Sequence, residues 1–121
     1  MGTKTKYFNK HEKIITEGEL THEAYIIMDG EVLVSTERMG DIAVLREGEI
    51  FGEIGWLDRL PRTATVRAKS NRVTVNVLDG ADAITLSRDN PKAMIPILKI
   101  LSKRLRDTLR MVDDIIGEKQ S

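Results

Sequence analysis

Six short runs of β-branched or alternating apolar residues, most of them punctuated by glycines, place the tightest limit on how this chain folds. The runs are Ile14-Ile15, Ala24 to Met28, Val32 to Thr36, Ile42 to Leu45, Thr63 to Ala68 and Val73 to Leu78. Each is strand-length and bounded by turn residues. Gly18, Gly30, Gly40 and Gly48 fall between successive runs, and Asp29-Gly30 and Met39-Gly40-Asp41 carry turn chemistry. In Val73-Thr74-Val75-Asn76-Val77 apolar and polar residues alternate strictly, as in a strand with one buried face. Short strands at even spacing with such turns predict a sandwich or barrel of the jelly-roll kind. Ile15 to Leu20 resembles Leu45 to Ile50, which reads as two similar turns rather than a repeat array.

From Asp79 onward the pattern changes. Asp82 to Ser87 reads as a short helix. Asn90-Pro91 is a cap followed by proline at the first helical position, and the helix it opens runs to about Ile116 with Gly117 as a stop. Pro96 lies inside it and predicts a kink or a junction of two pieces. The expected fold class is therefore mainly β with C-terminal helices: a jelly-roll β-barrel, or double-stranded β-helix, over about residues 8–80 and helices over about 81–117. The 121 residues fit one domain.

Composition removes several function classes. There is no cysteine, so disulfides and thiolate metal centres are excluded. Lys and Arg total 19, as do Asp and Glu, a balance that argues against a domain holding nucleic acid by its phosphates. No apolar run approaches the roughly 18 residues that span a bilayer, and no signal peptide is seen, so the expectation is a cytoplasmic chain without membrane insertion. His11 and His22 lack a companion cluster of ligands and read as surface histidines, with no metal expected. No nucleophile and base pair up, so no enzyme is expected.

The informative stretch is Phe51-Gly52-Glu53-Ile54-Gly55-Trp56-Leu57-Asp58-Arg59-Leu60-Pro61-Arg62-Thr63-Ala64-Thr65-Val66. Glu53 to Leu57 is about one helical turn. A glycine before such a turn lets its backbone N–H groups approach an anion. Arg62 offers a bidentate fork suited to phosphate, Thr63 a hydroxyl, and Glu53 an acceptor for a sugar hydroxyl. Together they suit a small phosphosugar.

The string also resembles the phosphate-binding cassette of the cyclic-nucleotide-binding domain family. That pattern is F-G-E, an apolar and a small residue, a short loop, then P-R-[small]-A-T-V. Gly18-Glu19, Ala24 to Ile27 and Gly30-Glu31-Val32 look like the family's upstream strands and turn, and the terminal helix looks like its last helix, so the likeness covers roughly residues 8 to 116. It implies a jelly roll and places roles residue by residue. Glu53 would bond the ribose 2′-hydroxyl. Gly52, Ile54 and Gly55 would offer backbone donors, and Arg62 and Thr63 would hold the phosphate. Val34 and Ala43 would flank the base. Gly55 stands where many eukaryotic members carry alanine.

Which base is bound is less plainly written. A threonine at position 63 is associated with cGMP in eukaryotic members, while bacterial members carry Ser or Thr here and use cAMP. Leu98, Leu101, Leu105, Thr108, Val112 and Ile115 recur at spacings of three and four, a heptad seam with one polar residue. Alignment with bacterial cAMP-activated transcription regulators puts Thr108 on an adenine-contacting threonine. The reading is a sensor for cAMP, with cGMP second, needing no cofactor. It would pair as a homodimer through its last helix and signal to an output partner the sequence does not name. With four residues after Gly117 no DNA-reading helices follow, so direct DNA binding is not expected. The alternatives are a ligand-sensing fragment of a transcription regulator and a scaffold that kept the fold without the ligand.

Overall fold

The computed structural model describes residues 4–78, Arg88 and residues 91–120. The chain divides into two compact units, residues 1–85 and 86–121. The described part of the first contains β1 (Lys4–Asn9), β2 (Lys13–Ile15), β3 (Ala24–Asp29), β4 (Val32–Thr36), β5 (Gly40–Leu45), β6 (Ile50–Phe51), α1 (Glu53–Asp58), β7 (Thr65–Ala68) and β8 (Arg72–Leu78).

These strands form two antiparallel four-stranded sheets, ordered β1-β8-β3-β6 and β2-β7-β4-β5. The alternation in β8 does what its pattern predicts. Val73, Val75 and Val77 are fully buried, while Thr74 and Asn76 between them are only half-buried. They join Tyr25, Ile27 and Phe51 of their own sheet and Ile15, Val32, Val66 and Ala68 of the other in one core cluster. The core thus lies between the sheets, and each fully buried valine contributes about 1.5–3 kcal/mol relative to exposure. The Tyr25 and Phe51 rings stack at 5.0 Å between centroids. Gly30 has φ +90, and a Cβ there would lie 2.7 Å from the Arg72 carbonyl oxygen, so the β3–β4 turn needs a glycine.

The jelly-roll expectation holds, and all six runs lie on strands. Two strands were not foreseen, β1 and β6. Several boundaries move: the strand expected from Thr63 begins at Thr65, while β2, β3, β5 and β8 reach beyond their runs to Lys13, Asp29, Gly40 and Arg72. The short helix expected over Asp82 to Ser87 and the Asn90 cap lie outside the described residues.

In the second unit a 3₁₀ turn at Pro91–Ala93 leads into α2, Met94–Gln120. Pro96 is the third residue of α2, where its missing N–H would have had no intrahelical acceptor. The expected junction corresponds to the change from 3₁₀ to α just before it. Gly117 does not stop the helix, which continues to Gln120. Glycine in a helix interior costs only about 1 kcal/mol against alanine, and an established helix absorbs that. Along the predicted seam Leu98, Leu105, Val112 and Ile115 are 47–59 % exposed. Thr108 Oγ1 donates to the Arg104 carbonyl at 2.9 Å. Met28 and Met111 are exposed, and Met39 is exposed in the turn between β4 and β5.

Candidate functional site

The site is built around Gly52. It caps α1 in the left-handed region, with φ +80. A Cβ there would lie 2.7 Å from the Glu23 carbonyl oxygen and 3.0 Å from both Arg62 Nη1 and Ile15 Cδ1. Conformation and space therefore both demand glycine. The first helical bond runs from Trp56 N to the Gly52 carbonyl at 3.2 Å. The N–H groups of Glu53, Ile54 and Gly55 precede it, so they have no acceptor within the helix. Trp56 anchors this turn as a buried core residue.

Arg62 reaches back to the same turn. Its Nε donates to Thr21 Oγ1 at 2.8 Å, its Nη1 to the Gly52 carbonyl at 2.8 Å, and its Nη2 to the Glu23 carbonyl at 2.6 Å. Its main chain is paired with the same loop: Arg62 N donates to the Glu19 carbonyl at 2.9 Å, and Gly18 N to the Arg62 carbonyl at 2.8 Å. The residue is only 5 % exposed. Burial pulls the guanidinium below its ordinary pKa, and Tyr25, Glu23 and Glu53 pull it back up. An arginine nonetheless stays charged, so a positive charge sits under the first turn of α1. Glu53 is half-buried, with one carboxylate oxygen shielded from solvent. Thr63, next to Arg62 in the chain, is exposed.

Val34 and Ala43 face each other across β4 and β5, and Val34 pairs on its other side with Val66, which pairs with Ile15. Ile15, Val66, Val34 and Ala43 thus form one apolar row across the second sheet. Ile15 and Val66 are buried, Val34 is half-buried and Ala43 is exposed. The row begins beside Gly52 and runs out to solvent.

The structure therefore gathers Gly52, Glu53, Gly55 and Arg62 at α1, with the Val34–Ala43 row leading away from them. The backbone of Ile54 lies in the same turn. Thr108 lies on α2, in the other unit.

Sequence reasoning missed the loop from Gly18 to Glu23. Five of its residues serve the cassette: Gly18, Glu19, Thr21 and Glu23 hold Arg62, and His22 Nδ1 lies 3.2 Å from the Gly55 carbonyl. That carbonyl can only accept, so Nδ1 carries the proton. His22 is half-buried, which corrects the surface reading, whereas His11 is exposed. Tyr25 OH donates to Glu23 Oε1 at 3.3 Å, and burial, reinforced by the Glu23 charge, pushes the phenol up to about 12. The available signal was a polar Thr-His-Glu between two apolar strands, which names no partner. Among the described residues no group of three or more candidate ligands is placed to hold a metal, and no helix is long and apolar enough to cross a membrane.

Fold and site together define a jelly-roll module with a glycine-capped helical turn backed by a buried arginine. The family model described as "Cyclic nucleotide-binding domain" matches residues 5–90, and the chain belongs to that family. It is 33 % identical over 101 residues to a cAMP-dependent protein kinase regulatory subunit of Candida albicans, covering 83 % of this chain and 20 % of the relative. Among solved structures it is similar to the catabolite activator protein of Thermus thermophilus, with TM-score 0.72 and 26 % identity, covering 93 % of this chain and 55 % of that one. It is also similar to the cAMP-bound regulatory subunit PfPKA-R, with TM-score 0.68 and 29 % identity, over 93 % of this chain and 37 % of that one. The chain spans about a fifth of the length of the Candida relative.

Proposed function

We propose that this chain is a regulatory sensor module that binds a cyclic nucleotide, cAMP in preference to cGMP, and performs no catalysis of its own. The observation that carries the reading is the buried Arg62 guanidinium set beneath the glycine-capped turn of α1. One positive fork and a cluster of backbone donors meet beside an apolar wall, the three features a cyclic phosphate, ribose and base need. Arg62, Thr63 and the amides from Gly52 to Gly55 take the phosphate and sugar, Glu53 takes the ribose 2′-hydroxyl, and Val34 and Ala43 flank the base. The likeness to a cAMP-bound regulatory subunit supports this ligand.

The preference for cAMP rests on Thr108. Its hydroxyl proton is spent on the Arg104 carbonyl, so toward a base it offers lone pairs. Adenine presents an amino donor where guanine presents a carbonyl acceptor. Signalling runs through α2, whose exposed Leu98, Leu105, Val112 and Ile115 pair with a second copy in parallel. Ligand binding shifts that equilibrium and the partner reads it. The chain acts in the cytoplasm.

A second reading has one observation behind it. Arg62 is bonded to the protein itself, so a scaffold without ligand would also keep it. Calorimetric titration with cAMP and then cGMP decides. Binding of cAMP tighter than cGMP is the expected result, and no heat with either ligand leaves the scaffold reading.

A further inference from the structure

Three acceptors hold the Arg62 fork, one on each nitrogen. Two are main-chain carbonyls, of Gly52 and Glu23, which any residue at those positions would supply. Thr21 is the one acceptor of the three that a side chain provides. The seat behind the fork exists because residue 55 is a glycine. A Cβ on Gly55 would lie 2.8 Å from Arg62 Nη1, 3.3 Å from its Cζ and 3.1 Å from the Thr21 carbonyl oxygen. The guanidinium therefore lies close against Gly55, in space that any side chain there would take, and the acceptor on Nε sets how it lies. With Arg62 only 5 % exposed, an Nε–H deprived of that acceptor has little water to turn to and must rotate the fork.

We propose that Thr21 is a positioning residue for ligand recognition: its hydroxyl, by accepting from Arg62 Nε, fixes which guanidinium N–H groups face the cyclic phosphate. The proposal rests on the reading of the site as a cyclic-nucleotide site. It is specific to the phosphate, because Thr21 acts only through Arg62. Threonine at this position thus tunes discrimination between the two exocyclic phosphate oxygens. Gly55 gives the fork room to lie in the plane that Thr21 selects.

The test compares the wild-type chain with Thr21→Val and Thr21→Ser. Calorimetry measures cAMP and its two phosphorothioate diastereomers, which put sulfur on one exocyclic oxygen or the other. Thr21→Val keeps the shape and removes the acceptor. It is expected to bind cAMP about 10-fold more weakly, the worth of one charge-assisted bond. Its affinity ratio for the two diastereomers should move several-fold toward unity. Thr21→Ser keeps the hydroxyl and should stay within about twofold of wild type in both quantities. Wild-type affinity and ratio in Thr21→Val overturn the proposal. So does an unchanged ratio with equal weakening in Thr21→Val and Thr21→Ser, which is what a purely packing role produces. If Thr21→Val gives no cooperative melt, Thr21→Ala is read in a cycle with Arg62→Lys: coupled losses support the proposal and additive losses overturn it. A wild-type chain that binds neither cAMP nor cGMP removes the site reading first, an outcome distinct from all of these.

Discussion

The three bonds from the Arg62 guanidinium, 2.6–2.8 Å long, change what its removal means. Were Arg62 a ligand contact alone, Arg62→Ala would lose the ligand and leave the barrel intact. With the bonds in view the same substitution also strips donors from the Gly52 and Glu23 carbonyls. Arg62→Ala is therefore expected to weaken cyclic-nucleotide binding by about 2–5 kcal/mol and to cost about 1–3 kcal/mol of stability. Titration and thermal melting read the two losses separately; an unchanged melting temperature would show that the inward bonds add nothing. Glu53→Gln is expected to weaken cAMP more than its 2′-deoxy analogue, because either change breaks the same contact. Equal losses with both ligands would detach Glu53 from the ribose. Tyr25 adds a pH dependence. Its phenol stands at about 12 in the fold against an ordinary 10.0. A raised pKa in the folded state stabilises the protonated form, so that stability is present in full below pH 10 and lost as pH climbs from 10 toward 12. Melting curves across that window should fall less steeply in Tyr25→Phe than in wild type; parallel profiles would uncouple the phenol from folding.

At the level of elements, legibility followed pattern strength. β8 announced itself because its valines alternate strictly and all point into the core. β1 gave no such signal: five of its six residues are exposed, and it is held as an edge strand by its register with β8. β6 has two residues, too few for any period. The cassette was legible because its residues are contiguous. The loop from Gly18 to Glu23 was not, because its partners lie more than 30 residues away and meet it only once the sheets assemble. α2 was legible as a helix but not at its end. Gly117 has φ in the ordinary range and open space where a Cβ would stand. Gly117→Ala should thus raise helicity by circular dichroism and stabilise α2 by about 0.5–1 kcal/mol. A drop in helicity would mean the glycine does end the helix. For the seam of α2, light scattering with and without cAMP is expected to show a dimer that ligand strengthens. Thr108→Ala should lower cAMP affinity by about 1 kcal/mol. A chain that stays monomeric at high concentration in both states would refute the pairing.

Taken whole, the molecule keeps its core cluster between Ile15 and Val77, inside the first compact unit. A chain ended after Thr85 retains every residue of that cluster and is expected to melt cooperatively, followed by fluorescence of the buried Trp56. A non-cooperative melt would show that the strands depend on residues beyond them. Within this unit Arg62 ties the Gly18–Glu23 loop, the cap of α1 and the approach to β7 into one joint. That joint bears on how lineages of such modules are read. A descendant that abandoned its messenger would still be selected to keep this arginine, since losing it would loosen the fold. The arginine alone is therefore a poor witness to a living sensor.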